Sequence, residues 1–340
     1  MRVLGIESSC DDTSAAIVEE GTRVRSCVVA RQDEFHAKYG GVVPEIASRK
    51  HLEVIAAVVR EAHDRACVAR SDIDGVAVSQ GPGLVGSLLV GLNFAKAYAY
   101  AANMPFIGIN HVEGHLWASR LGDRPATPPF VGLVVSGGHT NLYFVDADRS
   151  MQLIGRTVDD AAGECFDKVA KLLGLGFPGG AQIDALAAGG DPAGVDLPRP
   201  LLRSGDFRFS FSGLKTAVRT FLHQRGSVPA GDDLADLCAS LNAAVVDVLL
   251  EKLHAAAREH DAKSVVIAGG VAANRMLRDA ATRRFTDAGI ELFIPDFLFC
   301  TDNAAMIAAA GDALLEAGVR SSWTANAYAS IRKVPRDASS

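Results

Sequence analysis

Residues 6–18, IESSCDDTSAAIV, and 134–145, VVSGGHTNLYFV, spell one pattern twice. In each, a hydrophobic strand breaks into a small polar turn and returns as a second strand. A fold that must accommodate this pattern twice, about 130 residues apart, is constrained to two similar lobes. The flanking periodicity extends the echo. Strands are expected over 2–7, 14–19 and 23–30, with turn chemistry between them. A helix follows over about 44–67, where Ile46, Leu52, Ile55, Val58 and Val59 fall near helical spacing. Next come a strand at 75–80, a helix at 84–101, a strand at 106–110 and a short helix at 111–120. The second half repeats the scheme with strands at 130–137, 140–146 and 151–157 and helices at 161–173 and 181–188. After a Pro/Gly-rich stretch (190–205) come helices at 212–224 and 232–260, a strand at 264–270, a helix at 272–288, a strand at 291–295 and a helix at 302–317. The expected division is 1–120 for a first α/β lobe, 121–325 for a second lobe with helical insertions, and 326–340 for a tail. Two such lobes facing one another would place both polar turns at the mouth of one central cleft.

Bulk properties support this reading and close off others. A chain of 340 residues exceeds a typical single domain. With 49% hydrophobic and 22% charged residues it carries enough apolar surface for two cores. No run of 18 apolar residues occurs, so a membrane-spanning helix is not expected. The N-terminus reads as an immediate strand and not as a signal peptide. Cys10, Cys27, Cys67, Cys165, Cys238 and Cys300 are scattered without a CxxC pair, which fits reduced thiols in a cytoplasmic chain and argues against a thiolate zinc site. The formal net charge of −6 argues against a protein that holds nucleic acid by charge alone. Two basic stretches stand out locally: Arg199, Arg203, Arg208, Lys215, Arg219 and Arg225, and then Arg275, Arg278, Arg283 and Arg284. Solvated helix faces are the commoner meaning of such runs. An RNA substrate would need these patches or a basic partner.

The turns hold the chemistry. Glu7-Ser8-Ser9-Cys10-Asp11-Asp12-Thr13 offers hydroxyls, carboxylates and backbone N–H groups at a strand end. Ser136-Gly137-Gly138-His139-Thr140 offers unhindered amides able to cradle a phosphate. Either alone could be an ordinary hairpin turn, but the same position in a repeated unit makes the pair more specific. Gly269-Gly270-Val271-Ala272-Ala273-Asn274 follows a strand and opens a helix, where backbone can approach a ring or a phosphate. Asn274 has two readings, an adenine-edge contact and a helix cap, and the cap is the commoner use of Asn. Gly81-Pro82-Gly83 reads as a rigid loop.

His111-Val112-Glu113-Gly114-His115 is the sharpest local feature. Two His at i and i+4 share one helix face and can ligate one metal. In a helical HExxH metalloprotease the Glu directly follows the first His. Here Glu113 stands two residues on, roughly 200° around the helix, so a protease of that type is disfavoured. Asp302, where a strand end meets a helix start, could supply a third, hard ligand; spacing alone would equally make it an N-cap.

Beyond these local readings, the doubled strand-and-helix order resembles the actin-like ATPase and sugar kinase superfamily, with two duplicated ribonuclease H-like lobes around a central cleft. The chain closely resembles the bacterial tRNA N6-adenosine threonylcarbamoyltransferase family, once described as O-sialoglycoprotein endopeptidases. GIESSCDDT, HAKYGGVVPEIASRKH, GPGLVGSLLVG, HVEGH, LVVSGGHT, DDAAGECFDKVAKLLGLGFPGG, FSFSGLKTAV, GGVAANRMLR and CTDNAAMIA carry the resemblance, in order and nearly end to end. It departs from the family at GGAQID (179–184) and DNAAM (302–306), where Ala stands for the usual Pro and Gly, and matches least after about 320. The resemblance implies that His111, His115 and Asp302 bind one divalent metal, iron by the family's usual assignment, with zinc the other candidate. It implies that Val134, Val135, Ser136, Gly137, Gly138, Asp167, Gly180, Asp184 and Asn274 bind threonylcarbamoyl-AMP, with Asp167 and Asp184 as ribose acceptors. His139 is left as either a phosphate contact or a general base, and no general base is assigned. The implied reaction moves the threonylcarbamoyl group onto N6 of adenosine 37 in tRNAs reading ANN codons. The implied partners are tRNA, a smaller paralogous actin-like subunit and a small P-loop ATPase, with a separate synthase making the adenylate. An ATPase or kinase of the same superfamily is the alternative, since the turn motifs alone would suit it.

Overall fold

The computed structural model describes residues 1–39 and 41–330. The chain divides into two compact units, Met1–Pro125 with the chain from Thr301 onward, and Ala126–Cys300.

The first unit begins with β1 (Arg2–Glu7), β2 (Thr13–Glu19) and β3 (Arg23–Ala30), then α1 (Asp33–Ala37) and α2 (Pro44–Ala66). β4 (Gly75–Gly81), α3 (Val85–Ala101), β5 (Phe106–Asn110) and α4 (His111–Trp117) follow. Its sheet runs β3-β2-β1-β4-β5. β1, β2 and β3 pair antiparallel, while β4 and β5 join in parallel. α2 starts with Pro44, whose fixed φ suits the first helical position. It buries Ala47, His51, Ile55, Val58, Val59, Ala62 and Ala66, one stripe at helical spacing.

The second unit contains β6 (Phe130–Val135), β7 (Thr140–Val145), β8 (Met151–Arg156), α5 (Ala162–Leu172), α6 (Gly179–Ala187), α7 (Ser212–Arg225) and α8 (Asp232–Glu259). β9 (Ser264–Ala268), α9 (Arg275–Asp287), β10 (Glu291–Phe293) and α10 (Phe297–Cys300) complete it. The sheet order is β8-β7-β6-β9-β10, with the same senses: two antiparallel pairings, then two parallel. The repeated hairpin is therefore the visible part of a full structural duplication. The mid-strand runs of β1 and β6 are buried throughout, as expected of central strands covered on both faces.

The chain then returns to the first unit. α11 (Ala304–Glu316) packs on β1, β4 and β5 of the first sheet. The helix expected over 302–317 thus belongs with the N-terminal lobe and not with the 121–325 lobe. The physical reason is close apposition through small residues. A Cβ on Gly5 of β1 would stand 2.1 Å from the Ala304 carbonyl oxygen, and one on Gly311 would stand 2.3 Å from the Ala77 Cβ. Such contacts between residues more than 200 apart leave no trace in local periodicity. Of the tail expected at 326–340, the described part lies along the end of β4: Gln80 Nε2 donates to the Asn326 carbonyl at 2.8 Å, and the Tyr328 amide donates to the Gln80 carbonyl at 3.0 Å. Residues 331–340 lie outside the described residues.

Two short helices, α1 and α10, were not expected from the sequence, and the helix expected over 272–288 begins as a 3-10 turn at Gly270–Ala273 before α9. No helix among the described residues is long and apolar enough to cross a membrane. All six cysteines are free thiols.

Candidate metal centre and nucleotide-binding elements

In the first unit, strand β5 ends at Asn110 and α4 begins at once. The Asn110 side chain caps α4 by accepting from the Val112 and Glu113 amides at 3.0 and 3.3 Å. That fixes the helix start at His111, so His111 and His115 lie one turn apart on the same face, both buried, with ring centroids 4.9 Å apart. The third residue comes from the segment before α11. Asn303 takes the cap there, accepting from the Met306 amide at 3.1 Å. Asp302, the other residue that spacing could have made the cap, instead points its carboxylate at the histidines. Its Oδ1 is 3.5 Å from His111 Nε2 and 3.4 Å from His115 Nε2.

These three atoms fit a metal. One ligand atom from each side chain falls within 4.8 Å of the others. Donors about 2.1 Å from a metal at angles of 90–110° stand roughly 3.0–3.4 Å apart, and the two Nε2–Oδ1 separations, 3.5 and 3.4 Å, lie at the upper end of that spacing. Among the described residues neither ring nitrogen of the buried His115 has a hydrogen-bond partner. A buried imidazole without a partner is costly, and a cation is one way to satisfy it. Glu113 is not one of the three, in keeping with its place around the helix.

Behind the histidines lies a buried carboxylate. Glu7, the last residue of β1, is fully buried, and its Oε2 is 2.9 Å from His111 Nδ1. Its Oε1 accepts from the Ser9 amide at 2.6 Å and the Ser79 hydroxyl at 3.1 Å. Burial pushes the Glu7 carboxyl up, but the charge and hydrogen bond of His111 outweigh it and hold the group below its usual range. Burial also works against a charged His111, yet Glu7 and Asp302 together push that imidazole up to about 9. The Glu7 carboxylate was visible in the sequence only as one of several polar groups in a turn; its partner lies 104 residues away, and no spacing rule connects them.

In the second unit, Val134 and Val135 are buried at the end of β6, and Ser136, Gly137 and Gly138 form the β6–β7 turn. The Ser136 amide donates to the His139 carbonyl at 2.8 Å, and the His139 amide donates to the Ser136 hydroxyl at 3.2 Å. Neither Gly137 nor Gly138 takes a left-handed φ, and a Cβ on either would meet no atom within 4 Å. Their contribution is open backbone. The start of α5 rests against this turn. The Gly163 amide donates to the Ser136 carbonyl at 3.2 Å, and a Cβ at Gly163 would lie 2.6 Å from that oxygen.

α5 then carries Asp167 to the next element. The Asp167 Oδ1 accepts from the Gly179 amide at 2.8 Å at the first turn of α6, beside Gly180. Burial raises the Asp167 carboxyl, and hydrogen bonds from the Gly179 and Gly180 amides only partly offset it. Asp184, further along α6, is held by Arg275, whose Nε reaches Oδ2 at 2.9 Å and whose amide reaches Oδ1 at 3.2 Å. Asn274 caps α9 through the Leu277 amide at 2.9 Å and donates to Asn242 Oδ1 at 3.1 Å. The cap reading is thus present in the fold. A pocket of about 380 Å³ is lined by Asp184, Asn242, Arg275, Met276 and Asp279 among others. Of the nine residues expected at the adenylate, five lie at the end of β6 and in the β6–β7 turn, Asp167 lies on α5, Gly180 and Asp184 on α6, and Asn274 at the start of α9.

A family model described as TsaD, tRNA N6-adenosine threonylcarbamoyltransferase, matches residues 23–309. This chain belongs to that family. Among relatives carrying the transferase name, one from Trichlorobacter lovleyi is 53% identical over 97% of this chain and 96% of its own. One from Geotalea uraniireducens is 54% identical over 96% and 95%. One from Bacillus subtilis is 52% identical over 96% and 94%. All three metal-centre candidates lie within the matched stretch. Among solved structures, component A of the (R)-2-hydroxyglutaryl-CoA dehydratase of Acidaminococcus fermentans aligns with a TM-score of 0.54 at 15% identity, covering 92% of this chain and 98% of that one. Full-length HypF, in its phosphate- and nucleotide-bound form, aligns at 0.61 and 14%, covering 93% and 56%. At such identities the likeness concerns the fold, and the transferase shares the duplicated actin-like architecture that its repeated hairpin led one to expect.

Proposed function

We propose that this chain transfers the threonylcarbamoyl group from threonylcarbamoyl-AMP to the N6 amine of adenosine 37 in tRNAs that read ANN codons, releasing AMP. The observation that carries the reading is end-to-end similarity to transferases of this name. The donor is a mixed anhydride, already activated, so no protein nucleophile is needed. The adenine N6 forms a bond to the carbamoyl carbon, the bond from that carbon to the phosphate oxygen breaks, and AMP leaves with the electron pair while N6 gives up a proton. Val134, Val135, Ser136, Gly137 and Gly138 would present backbone to the adenylate, and Asp167, Gly180, Asp184 and Asn274 would bind it beside their structural partners. A carboxylate accepts several hydrogen bonds, so Asp167 and Asp184 keep capacity for ribose hydroxyls alongside Gly179 and Arg275.

His111, His115 and Asp302 would hold one divalent metal, Fe2+ in this reading with Zn2+ the other candidate, because two imidazoles and one carboxylate suit both. When bound, such an ion supplies positive charge to oxygens that become more negative during transfer. The partners in this reading are a smaller paralogous actin-like subunit and a small P-loop ATPase, with tRNA as substrate, in the cytoplasm. The test is reconstitution of the chain and these partners with a synthase, ATP, threonine, bicarbonate and unmodified ANN-reading tRNA, followed by nucleoside analysis. Threonylcarbamoyladenosine is expected, formed only when the chain is present. Unmodified tRNA together with steady ATP hydrolysis by the chain alone would favour an ATPase or kinase instead.

A further inference from the structure

Glu7 is a carboxylate placed where apolar side chains would be cheaper. It is fully buried at the end of β1, and burying an ionised carboxylate is tolerated only when it is well paired. Its pairing is unusually complete. Oε1 takes the Ser9 amide and the Ser79 hydroxyl, and Oε2 faces His111 Nδ1 at 2.9 Å. Two donors from different strands and turns hold one oxygen still so that the other addresses a single imidazole nitrogen. The Ser9 hydroxyl also stands 3.0 Å from that nitrogen.

The geometry decides the imidazole's tautomer. A carboxylate accepts hydrogen bonds and gives none, so Nδ1 of His111 must carry the proton. In the neutral ring the lone pair is then on Nε2, the nitrogen 3.5 Å from Asp302. His115 has no such support, since among the described residues neither of its ring nitrogens has a hydrogen-bond partner. The cluster is therefore asymmetric: a fixed carboxylate stands behind Nδ1 of His111, and among the described residues no hydrogen-bond partner stands behind Nδ1 of His115.

We propose that Glu7 is a positioning residue for the metal centre: through His111 Nδ1 it fixes the ring's orientation and tautomer, aims Nε2 at the metal, and makes His111 the stronger of the two imidazole donors. Carboxylate–imidazole–metal relays of this kind change metal affinity about 10- to 100-fold when the outer carboxylate is replaced. The inference rests on the reading of His111, His115 and Asp302 as metal ligands, and the experiment separates the two.

The probe is Co2+, titrated into the full-length chain after chelator treatment and followed by its visible absorption bands and by competition with a chelator of known affinity. The parent chain is expected to bind one Co2+. Glu7→Gln keeps an acceptor for Nδ1 but removes the charge, and should bind about 10- to 100-fold more weakly, with shifted bands. In a His111→Ala background, Glu7→Gln should cost no further affinity, because its effect travels through that ring. A merely structural role would weaken both backgrounds alike. Should Glu7→Gln fail to fold, Ser79→Ala carries the test: it removes one donor to Oε1 and should weaken Co2+ binding several-fold while leaving the far-ultraviolet circular dichroism unchanged. Parent-like affinity and spectrum in the folded variant, or equal losses with and without His111, overturn the role of Glu7 alone. A parent chain that binds no Co2+ overturns both this inference and the metal reading beneath it.

Discussion

Gly138 and Gly163 lie on the two sides of one turn and have opposite tolerance for a side chain. A Cβ on Gly138 meets nothing within 4 Å, whereas one on Gly163 would press to 2.6 Å from the Ser136 carbonyl oxygen and 2.8 Å from Gly137. Gly138→Val should therefore fold with parent-like stability, within a few tenths of a kcal/mol. Gly163→Ala forces α5 or the turn to shift and should cost about 1–3 kcal/mol. If the 136–138 backbone faces a phosphate, as proposed, the valine crowds the anion, and AMP affinity measured by calorimetry should fall at least several-fold in a protein whose melting is unchanged. Equal AMP affinity in Gly138→Val and the parent would remove this turn from the nucleotide site. Reading the same residues from sequence alone reached the open glycines but not Gly163, because the close approach depends on where α5 comes to rest.

At the level of elements, α11 joins sequence-distant parts of the first unit and carries a candidate ligand just ahead of its first turn. Gly5→Ala would drive a methyl to 2.1 Å from the Ala304 carbonyl at the start of that helix. A backbone atom cannot swing away as a side chain can, so the helix must move, at a cost of about 1–3 kcal/mol or more. Asp302 sits two residues before Ala304, so Gly5→Ala is expected to weaken Co2+ binding as well as lower the melting temperature. A stability loss with intact metal affinity would show that Asp302 is held independently of α11. A second element-level device is Asp159, which caps α7 from outside: its carboxylate accepts from the Phe211 and Ser212 amides at 2.8 and 3.3 Å and from the Ser210 and Ser212 hydroxyls. Phe211, at the cap position, has no capping side chain of its own. Burial tends to raise the Asp159 carboxyl, but these hydrogen bonds more than offset it and the group is held below its usual range. A depressed folded value means that the stabilisation is present above the unfolded pKa of about 3.9 and lost as pH falls through the lower folded value. Asp159→Ala should cost about 0.5–2 kcal/mol at pH 7, as loss of a cap does. The gap in urea midpoint between variant and parent should close below about pH 4, and a constant gap down to pH 3 would contradict the capping role. The periodic elements and the i, i+4 histidines were legible in the sequence because both are local patterns. Asp159 capping α7, Glu7 orienting His111 and α11 returning to the first sheet were not legible, since each joins residues that only the folded chain makes neighbours.

For the whole molecule the question is how an acidic chain, with a formal charge of −6, engages a polyanionic RNA. The basic stretches seen in the sequence are largely spent on internal partners. Arg199 pairs with Asp247 at 3.1 Å, Arg208 with Asp206 at 2.6 Å, Arg225 with Asp233, Arg275 with Asp184 at 2.9 Å and Arg284 with Glu251 at 3.1 Å. Arg278 donates to the Ala272 and Pro295 carbonyls, both at 2.7 Å, and lies over the Phe297 ring. Charge reversal at Arg208 or Arg278 would thus disturb the fold along with any RNA contact, which makes those positions poor reporters. Lys215, Arg219 and His223 are better ones, because they recur every fourth residue along α7 and so share one face. The chain alone is expected to bind tRNA weakly, above micromolar at physiological salt, since phosphate neutralisation supplies most nonspecific affinity. A basic partner subunit should tighten that binding markedly. Each phosphate contact contributes about 0.9 to the slope of log K against log salt on a duplex. Lys215→Glu with Arg219→Glu should therefore lower the slope for the assembled complex by up to roughly 1.8, with melting unchanged because among the described residues neither side chain has an ion pair or hydrogen bond to another element. Submicromolar binding by the isolated chain, or a slope untouched by the double reversal, would place the RNA surface elsewhere on the molecule or its partners.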